Sequence, residues 1–354
     1  MATFFDVLRA GLWGESLSSL TTADALAAIQ EAERQSVVGV VFDAINGNGI
    51  RLYSRQVFEY YSMSLQIEHQ NTLVNKELCA LARLFSDNGI RYAVVKGQIA
   101  AQCYRKPKLR QSGDIDFYCD TENFERAKAL IEQEWDAVYE VTENTSHLAF
   151  CHNTIDFEQH SRLIMLNNKR LEAYWGKVLA NDDEHFVTIN NQQVHTLSPT
   201  LHALYIFLHL YRHLLGLGIG IRQFCDLAMM LHSSKGDIDH EALRYHLKVL
   251  GMERAYRACG CILIKKLGLP PNEFTYITDK KDLHYAKKIL DVVMYRGNMG
   301  KYNKKGGMYG AMHNLEATGI KFAHFFKFMP LAPAYSCRWI VNEMKRKISN
   351  KLFR

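Results

Sequence analysis

From Gly113 to Tyr118 the chain alternates acid and hydrocarbon one residue at a time: Asp114, Ile115, Asp116, Phe117. Successive side chains of an extended strand point to opposite faces. If Ile115 and Phe117 enter a core, both carboxylates must leave together through the other face. The run therefore predicts a strand (114–119) in a sheet with one apolar and one acidic side. A strand over 91–96 precedes it, running into Lys96-Gly97, where backbone and a cation can meet phosphate. A helix over 98–104 follows. Further on, Thr154-Ile-Asp-Phe-Glu-Gln-His160 alternates again, with Asp156, Glu158 and His160 on one face and Ile155 and Phe157 on the other. Paired carboxylates on a rigid strand suit one or two divalent cations. Arg110 adds a second cation just before the acids.

Lys96, Gly97, Tyr104, Pro107, Arg110, Asp114 and Asp116 follow the order Lys-Gly, Tyr, Pro, Arg, Asp-x-Asp. In that pattern the chain resembles the DNA polymerase beta-like nucleotidyltransferase superfamily, and most of all its bacterial branch of uncharacterised members. The wider superfamily has Gly or Ser after its glycine and a shorter spacer. Here Gln98 follows Gly97, and fifteen residues separate it from Asp114. The resemblance implies an α+β fold, a small polymerase-beta-like sheet with flanking helices embedded in a mostly helical chain. It implies a third metal-binding acid on a nearby strand, where the branch has an acid, an apolar residue and His. Glu158-Gln159-His160 fits that frame best, with Asp156 as the alternative. Asp114, Asp116 and Glu158 are then the expected catalytic and metal-binding residues, holding Mg²⁺ or Mn²⁺. Lys96, Gly97, Gln98 and Arg110 are expected to bind a nucleoside triphosphate such as ATP, whose nucleotidyl group passes to an unidentified acceptor. The alternative is a catalytically inactive relative that binds nucleotide, nucleic acid or a membrane surface.

At 354 residues there is room for about two domains. The expected organisation is a helical region over 1–90, a nucleotidyltransferase core over 91–196, a helical domain over 197–278 and a basic, aromatic segment over 279–354. Helices are expected over 4–12, 22–45 (capped at Thr22) and 55–88, the last amphipathic. This region either covers the core or is scaffolding. Asp120-Thr121 predicts the start of a helix over 122–133. Strands are expected over 138–141 and 147–152.

Ser198-Pro199 predicts a helix start. His202, His209 and His213 then share one helix face, either as a polar stripe toward the cleft or as satisfied core histidines. The pair four apart lacks the Glu of His-Glu-x-x-His, which argues against zinc. Gly216-x-Gly218-x-Gly220 predicts a helix break. Arg222 and Asp226, four apart on the next helix, pair with each other or meet substrate. Residues 236–267 are expected to be helical.

The eight cysteines include no Cys-x-x-Cys pair, which predicts reduced, mostly buried thiols in a cytoplasmic protein. The first residues lack a basic, then apolar, leader pattern. No stretch is expected to span a membrane, because 201–221 carries His202, His209, Arg212 and His213. Residues 279–354 hold 16 Lys and Arg against 5 Asp and Glu, whereas the chain as a whole holds 43 against 37. Lys304-Lys305-Gly306-Gly307, an aromatic run from Phe322, and Lys345-Arg346-Lys347 fall there. That segment is expected to meet an anionic partner, nucleic acid or the inner membrane surface, or else to be a solvated cap.

Overall fold

A computed structural model describes residues 4–17, 20–140, 147–303 and 311–352, and their side chains except at 54, 311–314 and 346–352. The elements run α1 (Phe4–Trp13), α2 (Thr22–Gln35), α3 (Val38–Gly47), α4 (Ser54–Asp87), β1 (Ala93–Val95), α5 (Gly97–Gln102), β2 (Ile115–Tyr118), α6 (Thr121–Trp135), β3 (His147–His152) and β4 (Ile155–His160). They continue with α7 (Lys169–Ala180), β5 (His185–Ile189), β6 (Gln192–Thr196), α8 (Pro199–Leu215), α9 (Ile221–Ser233), α10 (His240–Leu250), α11 (Glu253–Lys265), α12 (Lys280–Arg296), α13 (Ala311–Phe328) and α14 (Pro333–Leu352). This is the expected mixed α+β chain, with one sheet among many helices. Two compact units are present. The first is Met1–Glu33, Val37–Leu163 and Ala180–Ala203; the second is Arg34–Ser36, Ile164–Leu179 and Leu204–Arg354.

The first unit contains the sheet, in the order β3-β4-β2-β1-β6-β5. β2 lies antiparallel to β1 and parallel to β4, and β1 lies parallel to β6. Two hairpins flank this centre, β3–β4 and β5–β6. Their two-residue turns, Asn153-Thr154 and Asn190-Asn191, both have positive φ throughout. Such turns match the twist of the strands they join. The apolar side chains foreseen by alternation form the core: Ile115, Phe117, Ile155 and Phe157 are buried with Leu78, Leu81 and Phe85 of α4 and Ala127 and Ile131 of α6. Phe150 stacks on Phe157 at 4.9 Å, and Phe85 meets Phe117 edge-on at 5.5 Å. α6 begins where its cap predicts, with Asp120 accepting from the Asn123 amide at 2.9 Å.

The second unit is helical. Its interior holds Tyr211, Tyr256, Phe328 and Tyr335. Tyr256 stacks on Phe274 at 4.8 Å, and a Cβ at Gly260 would fall 2.1 Å from that ring, so no larger residue fits there. Asp279 and Asp282 form a capping box at the start of α12. Arg257 bonds both, at 2.9 and 2.7 Å.

Several boundaries differ from expectation. The helix over 22–45 is two helices, α2 and α3, because Ser36 takes a φ of 58° and turns the chain. Its cap is Thr21, whose hydroxyl accepts from the Asp24 amide, in place of Thr22. The helix over 236–267 is likewise divided, at Gly251, whose left-handed backbone closes α10. Residues 138–140 form no strand, and Val138 is exposed; Val141 lies outside the described residues. Lys304-Lys305-Gly306-Gly307 also lies outside them, as do the side chains of Arg346 and Lys347. The β5–β6 hairpin was not foreseen, although Phe186-Val187-Thr188 and the Asn-Asn turn carry its signal.

Phe157 has no exposed surface and supports the strand that carries Glu158. Replacing it by Ala is expected to cost about 3–5 kcal/mol, the usual price of an emptied aromatic core site. Urea unfolding followed by far-ultraviolet circular dichroism measures this, and a loss below about 1 kcal/mol contradicts the packing described.

Candidate metal centre

The site follows from strand register. Parallel pairing of β2 and β4 sets Asp116 opposite Glu158 and Tyr118 opposite His160. Because side chains alternate, Asp116, Glu158 and His160 all stand on the face away from the α4 and α6 core. Asp114 immediately precedes β2. Carboxylate oxygens of Asp114, Asp116 and Glu158 lie within 4.8 Å of one another. Asp156 is exposed and lines a cleft of about 470 Å³ together with Ser112, Gly113, Asp114, Thr154 and Glu158. Thus Glu158 joins the paired aspartates, and Asp156 stands at the cleft beside them.

Asp116 is the buried member, 3% exposed. Its Oδ1 accepts from Lys96 Nζ at 2.8 Å and from His160 Nε2 at 2.8 Å. The same His160 nitrogen lies 3.4 Å from Glu158 Oε2. Burial pushes the Asp116 carboxyl up, but the Lys96 charge and the His160 bond outweigh it and hold it at about 2. Glu158 is lowered chiefly by its bond with His160, against burial. Burial opposes the charge on His160, yet its bonds to Asp116 and Glu158 prevail and its pKa is raised. Asp114, exposed at the cleft, moves the other way: the charge of Asp116, then partial loss of water, push it up to about 6, with Lys96 pulling down. A carboxyl raised by neighbouring carboxylates marks a place where added positive charge is stabilised. The donor set, three oxygens in one small volume, fits Mg²⁺ or Mn²⁺.

Lys96 reaches Asp116 from a strained turn. Its backbone lies at φ 59°, ψ −137°, and Gly97 follows at φ 34°. Such a conformation costs a non-glycine residue about 1–3 kcal/mol and persists only where the surroundings hold it. Here the Lys96 amide donates to Nε2 of His202 at 2.9 Å, and His202 has no exposed surface. Thr196 on β6, which donates to the Val94 carbonyl at 2.7 Å, lies 3.5 Å from the other His202 nitrogen. At Gly97 a Cβ would sit 3.4 Å from the Asp114 carbonyl, so the turn and the acidic loop run close together. Gln98 is buried. Its amide donates to Asn75 Oδ1 at 2.5 Å, and its own Oε1 has no partner among the described residues. Arg110 is also buried, with Nη1 donating to the Gln111 carbonyl at 3.4 Å. Asn71 fixes that loop, donating to the carbonyls of Lys108 at 2.7 Å and Arg110 at 2.9 Å.

His202, His147, Asn71 and Asn75 were not singled out for this site. His202 carried a signal, the histidine stripe, and it is a satisfied core histidine. The other two of that stripe, His209 and His213, face each other at 3.0 Å. For the asparagines the signal is two amides four residues apart within an amphipathic helix.

A family model described as uncharacterised nucleotidyltransferase matches residues 21–267. Among solved structures, the chain is similar to an antigenic nucleotidyltransferase-like protein from Paracoccidioides brasiliensis, at 13% identity and a TM-score of 0.37, over 59% of this chain and 96% of that one. No curated protein matches significantly. Among the described residues, no helix is long and apolar enough to cross a membrane.

Asp114 supplies a pH test. Its ordinary pKa is 3.8 and the folded chain raises it to about 6, so folding binds its proton more tightly than the unfolded chain does. Stability is therefore lost as pH rises between those values. Asp114→Asn removes the repelling charge. It is expected to be more stable than the wild type at pH 8 by on the order of 1 kcal/mol, after screening at an exposed group, with most of that advantage gone at pH 4. Unfolding at both pH values measures it, and a variant no more stable at pH 8 than at pH 4, relative to wild type, contradicts the assignment.

Proposed function

The chain belongs to the uncharacterised nucleotidyltransferase family, and from that premise we propose that it is a metal-dependent nucleotidyltransferase that moves a nucleoside monophosphate from a nucleoside triphosphate to an acceptor. The observation that carries this reading is the convergence of Asp114, Asp116 and Glu158 beside Lys96. Negative charge is the obstacle in such a transfer. An acceptor oxygen bonds to the α-phosphorus, the bond to the bridging oxygen of the β-phosphate breaks, pyrophosphate departs, and the acceptor proton passes to solvent or a carboxylate. Divalent cations held by Asp114, Asp116 and Glu158 would neutralise the charge on the triphosphate and its leaving group.

In this reading Lys96 has two partners in turn. Without a nucleotide its ammonium compensates Asp116; with one it turns toward the phosphates, a short movement for a flexible side chain. Gly97 lets phosphate approach the backbone. Arg110 supplies a forked donor set, and Gln98 lines the same turn. Glu158, kept anionic by His160, orients the acceptor. We place an anionic partner, membrane surface or nucleic acid, at residues 279–354. The charge balance of that segment supports the placement.

The direct assay is incubation with each labelled triphosphate and Mg²⁺ or Mn²⁺, followed by detection of pyrophosphate and of labelled product, self-labelling included. The wild type is expected to turn over, and Asp114→Asn and Asp116→Asn each to lose about 10³-fold, roughly 4 kcal/mol of barrier. Full activity in both variants would falsify the assignment. For the basic segment, binding to anionic vesicles or to RNA is expected to weaken steeply with salt. Binding that ignores salt, or that survives charge reversal at Lys327 and Lys345, rules the segment out.

A further inference from the structure

Glu158 belongs to two groups of ligand atoms. On one side are Asp114 and Asp116. On the other are His147 and His160, whose ring nitrogens lie with the Glu158 carboxylate inside a 4.8 Å span. The topology accounts for this second group as directly as for the first. β3 and β4 pair antiparallel with His147 opposite His160, and Glu158 stands two residues before His160 on the same face. Opposite Glu158 on β3 is Ala149, whose small side chain lines the cleft with it. The two imidazole rings are 5.4 Å apart and tilted by 41°, not stacked. That spacing accommodates two imidazoles on one ion, each nitrogen at about 2.0–2.1 Å from it.

His160 is also oriented from behind. It is nearly buried, and Nε2 is tied to the Asp116 carboxylate at 2.8 Å. Nε2 is also the nitrogen 3.4 Å from Glu158 Oε2, so an ion there meets His160 either through Nδ1, with Nε2 kept on Asp116 as metal-bound histidines keep a carboxylate, or through Nε2 in place of that bond. The donor set then selects the ion. Oxygen donors alone suit Mg²⁺, whereas imidazole nitrogen with a carboxylate suits first-row transition ions.

The geometry points to a second cation site, His147–Glu158–His160, that takes Mn²⁺, Co²⁺ or Zn²⁺ in preference to Mg²⁺ and shares Glu158 with the aspartate pair. This goes beyond the transfer reaction, because the nitrogen-ligated ion is bound whether or not a nucleotide is ever moved. The competing role for the histidines is purely structural, with His160 bridging Asp116 and Glu158 and His147 packing against it.

Two measurements on the full chain separate these roles. Mn²⁺ alone is added and pulsed electron paramagnetic resonance is read for coupling to ¹⁴N. Co²⁺ alone is titrated and its visible absorption followed. Nitrogen coupling and a saturable Co²⁺ spectrum are expected in the wild type. His147→Ala, at a half-buried position on the edge strand, should weaken Co²⁺ binding by on the order of 10–100-fold and remove the coupling due to that ring, while leaving the unfolding midpoint near that of wild type. His160→Gln serves as a second variant. Asp114→Asn should keep the nitrogen coupling even where it abolishes transfer, so failure of the catalytic reading and failure of this one are distinguishable. Mn²⁺ bound without nitrogen coupling in the wild type, or Co²⁺ affinity unchanged in His147→Ala, overturns the proposal.

Discussion

A carboxylate buried as deeply as Asp116 stays ionised only beside compensating charge and hydrogen bonds, and here these come from Lys96 and His160, both at 2.8 Å. Each of these partners reaches it from a different neighbour in the sheet. Lys96 follows directly on β1, antiparallel to β2, while His160 ends β4, parallel to β2. Sliding β4 by one residue would turn His160 to the core and Phe157 to the cleft. The register that buries Phe117 and Phe157 is thus the register that keeps Asp116 charged. Fold and site rest on one pairing.

The carboxylates are not equivalent, and the difference is one of surroundings. Asp116 has Lys96 and His160 as partners and is driven toward ionisation, while at Asp114 the pull of Lys96 is outweighed by the charge of Asp116 and by burial. Such a divergence between neighbouring acids is frequent where charge is arranged for binding or chemistry. It also costs stability, since the repulsion at Asp114 is relieved only by a proton or a cation. The strained backbone at Lys96, held through its amide by the buried His202, is a second such cost at the same place.

Much of this was legible in the chain itself. Alternation at 114–117 and 155–158 gave the strands and their inward and outward faces, because a period of two has only one reading when large apolar residues must be buried. The Asp120 cap and the glycine break after α8 were equally plain, being local chemistry. What stayed hidden depends on partners distant in sequence. Nothing near Lys96 announces that His202, over a hundred residues on, will accept its amide. His147 gains meaning only once β3 folds back on β4. Ser36 turns a helix without glycine or proline to mark it, and the tight Asn190-Asn191 turn joins strands too polar to stand out by alternation.

The central claim is that Asp114, Asp116 and Glu158 close on a divalent cation in the presence of a nucleotide. A crystal structure grown with Mn²⁺ and a triphosphate analogue blocked at the α–β bridge tests this most directly, through the anomalous signal of the ion. The account predicts a peak about 2 Å from oxygens of all three carboxylates and of the triphosphate. Ordered nucleotide with no Mn²⁺ at these carboxylates, or Mn²⁺ bound with Glu158 turned away, would contradict it.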